Sequence, residues 1–447
     1  MLTAAAGAYG CGARTDLLET KDRTATGGGG RDTSCDSVAC DSPPPPTCVF
    51  DSTLRSSIAP GACAAGQCSY ATVDTLCPNG CTGGTCDGTL NPLRIGAGNQ
   101  HTCAVAATGA VKCWGNNQYG QLGNNTKTGS PVPVDVVGLD SGVLSLSASY
   151  DRTCIVNSAG GVKCWGANAN GELGNDTFGD SAVPVDVVGL SGGVLAVSAG
   201  YTHTCALTEK GGVKCWGKNE HGQLGNSTTT DSLVPVDAVG LSSGAVSVSA
   251  GKRATCAVTT SGAVKCWGFN DNFGQLGNAS MADSAIPVDV KGLSSGALGV
   301  FAGDEAPCAI LGGGALRCWG WNYYGQLGDS MPSNSTVPVD VIGLSAGVVA
   351  VSPGYDHSCA ITAAGGVQCW GWNLYGQLGV GSGVVNNAVP TDVNGLTSGV
   401  LSVSAGVEHT CAITTAGNVK CWGDNTSGQL GNNSSKASDE PVDVIGF

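Results

Sequence analysis

Cysteine is the residue type with the clearest chemistry in this sequence, because 23 of the 447 residues are Cys. Fourteen of them form seven pairs whose members are always ten residues apart. A hairpin that turns at the intervening glycine places such residues opposite each other on neighbouring strands, within reach of a disulfide. We therefore predict seven structural disulfides, with a redox role as the minor alternative. The pairs are Cys103 with Cys113, Cys154 with Cys164, Cys205 with Cys215, Cys256 with Cys266, Cys308 with Cys318, Cys359 with Cys369, and Cys411 with Cys421.

A metal-binding role for the cysteines is disfavoured by their spacing. The sequence contains no Cys-x-x-Cys motif and has five His, whereas zinc sites draw on both. So many cysteines instead indicate disulfides in an oxidising compartment. The sequence therefore predicts no metal and no cofactor.

Aromatic residues form a second group that could bind a ligand. Each Cys-Trp-Gly is followed by a variable residue, and this residue is aromatic in three consecutive copies: Phe269, Trp321 and Trp372. Tyr323 and Tyr355 lie nearby in the sequence. Exposed aromatic side chains clustered on a rim are typical of protein or sugar recognition, and packing inside the loops is the alternative. Packing is the preferred interpretation at one neighbouring position, because Tyr119 occupies it in the first copy; its later occupants are Phe273, Tyr324 and Tyr375.

Charged residues are expected on the same face, in the short loop after the first strand of each repeat. We assign Asp304, Glu305 and Asp356 to the binding face with the aromatic residues. Further charged residues of this loop are Asp151, Arg152, Lys252, Arg253 and Glu408. No nucleophile–base pair and no carboxylate pair stands out from the repeat pattern, so no catalytic residue and no enzyme are predicted.

The elements that position these residues follow from a repeat. Cys-Trp-Gly recurs seven times at spacings of 51 or 52 residues, which indicates a repeat architecture. One repeat contains four short segments typical of strands, at 194–200, 203–207, 212–217 and 234–239, separated by turn residues. Seven units of four antiparallel strands predict an all-β, seven-bladed β-propeller. Whether the ring closes within one unit or by a strand from the other terminus stays open.

Three further positions recur in every repeat. The Trp of Cys-Trp-Gly points away from the sulfurs by strand alternation and is predicted to pack between blades. The Pro of Pro-Val-Asp marks the outer edge strand, because Pro cannot occupy a central one, and the Asp protects that edge. One repeat position holds a histidine in four copies: His101, His203, His357 and His409. Arg152 and Ala254 occupy the same position in other copies, so packing is preferred over catalysis or metal binding.

The repeat resembles the regulator of chromosome condensation repeat. The resemblance rests on Trp-Gly-x-Asn-x-x-Gly-[Gln/Glu]-Leu-Gly, seen in the third copy from Trp216 to Gly225, and covers residues 92–447. It implies a seven-bladed propeller. The founding eukaryotic member is a nucleotide exchange factor that binds chromatin, and bacterial relatives include a secreted inhibitor of β-lactamase. The paired cysteines and the acidic composition distinguish this chain from the founder.

The region before the repeats is divided into two parts. Residues 1–34 are interpreted as a signal remnant and flexible tether, with Cys11 as a candidate lipidation site or, alternatively, a spare thiol. Residues 35–88 contain eight Cys and few large apolar residues, so disulfides must hold this irregular region. A stalk is preferred over a small adhesion module. The propeller is predicted to span residues 89–447.

Composition and charge narrow the function. The net charge of −14 argues against nucleic acid, and no run of 18 apolar residues is present to span a bilayer. We expect a monomeric, secreted or surface-lipoprotein bacterial molecule that binds a protein or glycan through one propeller face. Inhibition of a secreted enzyme is the alternative, and nucleotide exchange or enzymatic activity is less favoured.

Overall fold

The computed structural model describes residues 94–447 apart from residue 107, and before residue 94 it describes only the backbone of six strands. The predictions for Cys11, for the tether and for the disulfides of residues 35–88 lie outside the described part of the chain, because no side chain before residue 94 is described. None of the elements in the described ranges is a helix that could cross a membrane. The six early strands are Tyr9–Gly10, Thr47–Cys48, Thr53–Ala64, Gln67–Leu76, Cys81–Thr82 and Thr85–Cys86.

Residues 95–443 form seven antiparallel sheets of four strands each, so the predicted seven-bladed propeller is confirmed. In each blade the strands pair in sequence order, from the first strand at the central channel to the fourth at the outer edge. The first strands are Ile95–Ala97, Val143–Ser149, Val194–Ala199, Ala245–Ala250, Ala297–Phe301, Val348–Pro353 and Val400–Ala405. The second strands are His101–Val105, Arg152–Asn157, His203–Thr208, Ala254–Thr259, Cys308–Leu311, His357–Thr362 and His409–Thr414.

The third and fourth strands carry the Cys-Trp-Gly and Pro-Val-Asp sequences, respectively. The third strands are Val111–Gly115, Val162–Gly166, Val213–Gly217, Val264–Gly268, Leu316–Gly320, Val367–Trp372 and Val419–Gly423. The fourth strands are Ser130–Asp135, Ser181–Asp186, Ser232–Asp237, Ser284–Asp289, Ser335–Asp340, Asn386–Asp392 and Ser438–Asp443. The Pro-containing strand is at the edge of its sheet in every blade, as its sequence predicts.

Each predicted Cys pair forms a disulfide between the second and third strands. Cys205 and Cys215 are direct register partners, with Cα atoms 4.1 Å apart. The other six disulfides have the same placement, with Cα–Cα distances of 4.0 or 4.1 Å, and all fourteen cysteines are fully buried. They join Cys103 to Cys113, Cys154 to Cys164, Cys256 to Cys266, Cys308 to Cys318, Cys359 to Cys369, and Cys411 to Cys421. The disulfides therefore lie in the core, where they connect the two central strands of each blade.

The core lies between blades, and the tryptophans fill it. Trp216 packs against Cys154, Cys164 and Leu173 of the preceding blade. Its indole N–H donates a 2.8 Å hydrogen bond to the Glu172 carbonyl of that blade. The seven Trp residues of Cys-Trp-Gly are all fully buried. Strand alternation thus sends the sulfurs of one blade and the indole of the next into one shared cluster.

The ring closes between blade 7 and blade 1 by the same contacts. The Trp114 indole donates to the Gln429 carbonyl at 2.8 Å, and Val407 N donates to Gly98 O at 3.2 Å. Every blade consists of four consecutive strands. No strand is therefore exchanged between the ends of the described propeller, which settles the closure that the sequence left open.

The edge aspartates do more than protect an edge. Asp237 on the fourth strand lies 2.7 Å from the Lys214 ammonium on the third strand. Six blades have such an ion pair, and in blade 6 the Gln368 amide donates to Asp392. The aspartates are 62–82% exposed, so each pair contributes at most about 1 kcal/mol.

The recurrent histidines connect neighbouring blades. His203 Nε2 lies 2.8 Å from Thr255 Oγ1, and the Thr255 hydroxyl donates to the Gln223 carbonyl. Because that hydroxyl proton is already used, Nε2–H of His203 must be the donor. The ring is fully buried, and burial followed by the charge of Arg152 lowers the pKa of His203 to about 3. In blade 2, Arg152 takes this position and donates to carbonyls of the next blade.

This geometry predicts a pH effect for His203→Gln, in which the amide keeps a donor but cannot be charged. The pKa of His203 is lower in the folded state than in the unfolded state, so its contribution to stability is lost as the pH falls below about 6.5. The stability advantage of wild type over His203→Gln should shrink by about 2 kcal/mol from pH 7.5 to pH 5. Urea unfolding of both proteins at the two pH values measures this. An advantage that stays constant would contradict the buried neutral imidazole.

Candidate functional site

Two sets of loops meet at one end of the propeller, which we call the loop face. The loop after the first strand and the loop after the third strand emerge together because the second and third strands are paired, with His357 opposite Gly371. Their backbones are joined in each aromatic blade. Phe269 N donates to Arg253 O, Trp321 N to Glu305 O, and Trp372 N to Asp356 O, at 2.8–2.9 Å. Each aromatic residue is therefore fixed beside the charged residue of its own blade.

Glycine makes this close approach possible. Gly371, the Gly of Cys-Trp-Gly in blade 6, has a φ of +106°. A Cβ at this position would collide with the Asp356 carbonyl and lie 2.8 Å from the Cα of His357. A side chain at Gly371 would therefore separate the two loops, and Trp372 would lose its place next to Asp356.

The long loop after each third strand is fixed by its own side chains. The Asn219 amide donates to the carbonyls of Thr228 and Thr230, and its oxygen accepts from Leu224 N. Gly222 and Gly225 both have positive φ. The recurrent Asn and Gly of each repeat thus build a loop scaffold on which the variable residues can differ.

Five aromatic side chains form a continuous row along the loop face from blade 4 to blade 6. We call Phe273, Trp321, Tyr324, Trp372 and Tyr375 the aromatic row. Successive ring centroids are 5.5–5.9 Å apart. All five side chains are half-buried, so the row offers part of its surface to solvent.

Three members of the row, Phe273, Tyr324 and Tyr375, occupy the position for which the sequence favours packing. Phe273 contacts Trp321 at 5.9 Å, and Tyr324 and Tyr375 contact Trp372 at 5.5 Å and 5.6 Å, so each packs against an aromatic residue that follows Trp-Gly. Their Tyr119 counterpart in blade 1 lacks a neighbouring Trp, so the repeat position alone gives no signal. The sequence signal for a continuous row is that aromatic residues occupy these loop positions in three consecutive blades, blades 4 to 6.

Phe269 does not have the predicted exposure. It is only 9% exposed, because His221 packs against its edge at 4.5 Å and the Arg253 guanidinium lies 4.9 Å from its ring centroid. The expectation of three equivalent rim aromatics is therefore wrong for Phe269. Tyr323, by contrast, is 69% exposed and packs against Tyr324.

Lys252 and Glu305 form a recessed ion pair near the row. The Lys252 ammonium lies 3.0 Å from Glu305 Oε1 and donates to the Tyr355 hydroxyl at 3.1 Å. It also lies 4.5 Å from the Tyr355 ring centroid. Burial alone would lower the pKa of Lys252, but Glu305 and Tyr355 outweigh burial and the pKa is raised.

Two aspartates of the loop face carry perturbed pKa values. Asp356 is 5% exposed, and burial together with Asp304 raises its pKa to about 7. Burial raises the pKa of Asp304 to about 7 as well, against the opposing charge of Lys252. Burial, followed by Asp424, also raises the pKa of Glu408. Blades 5 to 7 therefore place an acidic cluster beside the aromatic row.

The acidic cluster surrounds the mouth of the central channel. A depression of about 430 Å³ there is lined by Lys252, Tyr355, Asp356, Trp372 and Glu408, among others. Asp304 and Tyr355 also line the channel itself, a space of about 170 Å³. The structure thus brings together six of the eight predicted binding residues, namely Trp321, Tyr355, Trp372, Asp304, Glu305 and Asp356. Phe269 and Tyr323 lie to either side.

The opposite end of the propeller has a different surface. The second residue of the first strand is apolar and exposed in blades 2 to 7, for example Leu195 at 55% and Leu298 at 60%. These residues lie far from the loop face because the first strand runs from one end of the blade to the other. Substitutions of these residues therefore serve as controls for substitutions on the loop face.

The comparisons with known proteins agree with the fold. Residues 139–445 match the model of the RCC1-like domain, and residues 94–121 and 108–156 match that of the regulator of chromosome condensation (RCC1) repeat. The chain is 33% identical over 350 residues to the ultraviolet-B receptor UVR8 of Arabidopsis thaliana, covering 76% of this chain and 78% of the receptor.

Two further proteins resemble this chain over a similar length. The human regulator of chromosome condensation is 29% identical over 371 residues, covering 77% of this chain and 87% of that protein. The yeast RCC1 (Prp20), solved with Kap60 bound, is 19% identical and superposes with a TM-score of 0.69 over 77% of this chain and 85% of its own. At that identity the solved structure supports the fold alone.

Proposed function

This chain belongs to the RCC1-like propeller family, and on that premise we propose that it is a non-catalytic binding protein that recognises a protein partner through the loop face of blades 4 to 7. The aromatic row carries the proposal. Half-buried Trp and Tyr side chains on a rigid scaffold supply large contact area at low entropic cost, and such residues dominate protein interfaces. The disulfide-linked blades of this propeller, with their Asn-centred loops, provide such a scaffold.

Comparison among the seven blades supports the same face. The buried parts of each blade repeat almost without change, including the cysteines, the tryptophans and the Asn-centred loop scaffold. The residue after Trp-Gly, in contrast, reads Asn116, Ala167, Lys218, Phe269, Trp321, Trp372 and Asp424. Variable surface residues on a constant scaffold are where function is expected to reside.

The relatives favour a protein over other ligands. The names of the curated relatives describe a receptor and a regulator. We further propose that the chain acts outside the reducing cytosol, because seven buried disulfides require an oxidising compartment to form. Anchoring through a lipid on Cys11 is part of this proposal.

The proposal is tested by affinity capture from the native surroundings with the oxidised full-length chain as bait. We expect partners to be captured by wild type and lost with the double variant Trp321→Ala/Trp372→Ala. The matched control is Leu195→Ala/Leu298→Ala, which removes exposed apolar side chains from the opposite end and should capture the same partners. Retention by the first variant together with loss by the control would refute the loop-face proposal. A single stoichiometric secreted enzyme among the captured proteins would identify the chain as an inhibitor.

A further inference from the structure

Three consecutive blades place an aromatic side chain beside a charged residue, and two of the three sites already contain a cation. In blade 4, Phe269 is covered by the guanidinium of Arg253, 4.9 Å from its ring centroid. In blade 5, Trp321 is bonded through its backbone to Glu305, and Glu305 is paired with Lys252. In blade 6, Trp372 is bonded in the same way to Asp356. The structure records no cation paired with Asp356 among the described residues.

Asp356 is unusual because it is buried and unsatisfied. Its side chain is 5% exposed, and its Oδ1 atom has no hydrogen-bond partner within residues 94–447. A buried carboxylate oxygen without a donor destabilises the protein, because nothing replaces the hydrogen bonds that water made to it in the unfolded chain. The residue nonetheless lines the open depression at the channel mouth, and its other carboxyl oxygen, Oδ2, is not among the buried atoms without a partner, so a donor from outside can approach the carboxyl group on that side.

The surroundings of Asp356 favour a positive charge. Asp304, Glu305 and Glu408 face it from blades 5 and 7, and the opposing cation is Lys252 from blade 4. Lys252 is already engaged by Glu305 and by the Tyr355 hydroxyl, at 3.0 Å and 3.1 Å. The depression therefore has surplus negative charge next to Trp372 and Tyr355, and aromatic faces attract cations.

We propose that the depression between Trp372, Asp356 and Glu408 binds an arginine side chain of a basic segment in the protein partner. The proposal rests on the proposed function and specifies the partner chemistry at the same face. A guanidinium can stack on Trp372 while its N–H groups donate to the two carboxylates, which matches a planar fork better than a compact ammonium. The incoming arginine supplies a cation beside Trp372 in blade 6, as Arg253 does beside Phe269 in blade 4 and as Lys252, from blade 4, does beside Glu305 in blade 5.

The test is a titration of the oxidised full-length chain with a fluorescein-labelled peptide of four arginines alternating with glycines, followed by fluorescence anisotropy. The matched probe has citrulline in place of arginine, which keeps the shape and removes the charge. We expect the citrulline peptide to bind at least 10-fold more weakly, and a lysine peptide to bind several-fold more weakly. Equal binding of the arginine and citrulline peptides would overturn the proposal, and equal binding of the lysine peptide would overturn the guanidinium assignment.

Two variants localise the binding. Asp356→Asn keeps the size of the side chain and should lower the affinity for the arginine peptide at least 10-fold. Asp151→Asn changes the same repeat position in blade 2, away from the aromatic row, and should change the affinity less than 2-fold. Equal effects of the two substitutions would mean non-specific attraction to an acidic surface and would overturn the proposal.

The pH dependence gives an independent readout. Burial and the acidic neighbours Asp304, Glu305 and Glu408 raise the pKa of Asp356 to about 7, and the charge of Lys252 opposes this rise. The carboxylate is therefore charged above pH 7 and neutral below it, so the wild-type affinity should rise from pH 6 to pH 8. The rise should be smaller in Asp356→Asn. A rise of the same size in the variant would contradict the role of Asp356.

The outcomes separate this inference from the proposed function. If the Trp321→Ala/Trp372→Ala variant loses its captured partners but the arginine peptide neither binds nor displaces them, the loop face binds and the arginine assignment is wrong. If neither the partners nor the peptide depend on that variant, both proposals fail.

Discussion

The reduced chain is expected to be unable to refold its propeller. Each of the seven disulfides closes a ten-residue separation and contributes about 2–3 kcal/mol, so together they contribute on the order of 15–20 kcal/mol. This total exceeds the net stability of about 5–15 kcal/mol that is typical of folded domains. In the reduced chain, fourteen free thiols take the place of the seven disulfides, and the unfolded state is no longer restricted by cross-links.

The experiment must first expose the sulfurs, because all fourteen are fully buried and a reductant cannot reach them in the folded state. The chain is unfolded in guanidinium with a thiol reductant and then diluted into reducing or oxidising buffer. Circular dichroism and tryptophan fluorescence should report refolding only under oxidising conditions. Recovery of the native signals in the reducing buffer would show that the blades fold without their disulfides and would remove the argument for an oxidising compartment.

Trp370→Ala is expected to destabilise the propeller by about 3–5 kcal/mol, whereas Trp372→Ala should cost about 1 kcal/mol. The two residues belong to one Trp-Gly-Trp sequence. Trp370 is fully buried against Cys308, Cys318 and Leu327 of the preceding blade, and its indole donates to the Gln326 carbonyl. Its removal creates a cavity between blades. Trp372 is half-buried and mainly loses its stacking on Tyr324.

Urea unfolding measures both stabilities, and partner capture measures both functions. Trp372→Ala in combination with Trp321→Ala should lose the partner while it stays folded, and Trp370→Ala should lose stability first. Equal destabilisation by Trp370→Ala and Trp372→Ala would mean that the row is part of the core and would undermine its assignment as a binding surface.

The fold was predictable from the sequence because every blade repeats the same physical signals. The ten-residue Cys spacing, the alternation that separates the sulfurs from Trp216, and Pro at the edge strand each follow from strand geometry alone. The closure of the ring was not predictable in this way, since a borrowed strand and a complete blade leave the same repeat pattern. Only the pairing of Ile95–Ala97 within blade 1 distinguishes them.

The site was predictable in its position but not in its details. The residue after Trp-Gly marks the loop face in every blade, so Trp321 and Trp372 could be selected from the sequence. The burial of Phe269 could not, because it depends on His221 and Arg253 from other loops. The ion pair of Lys252 with Glu305 likewise could not be predicted. It joins two variable residues of adjacent blades, and the repeat pattern does not show which variable residues are in contact.

Hydrogen–deuterium exchange of the captured complex shows whether the loop face of blades 4 to 7 holds the partner. The full-length chain is compared with and without its partner, and amide protection is mapped onto the propeller. We expect protection in the loops of blades 4 to 7, around residues 251–253, 269–283, 303–307, 321–334, 354–357, 372–385 and 406–408, with none in the linkers that precede Leu195 and Leu298. Protection confined to those opposite-end linkers would show that the partner binds the other end of the propeller.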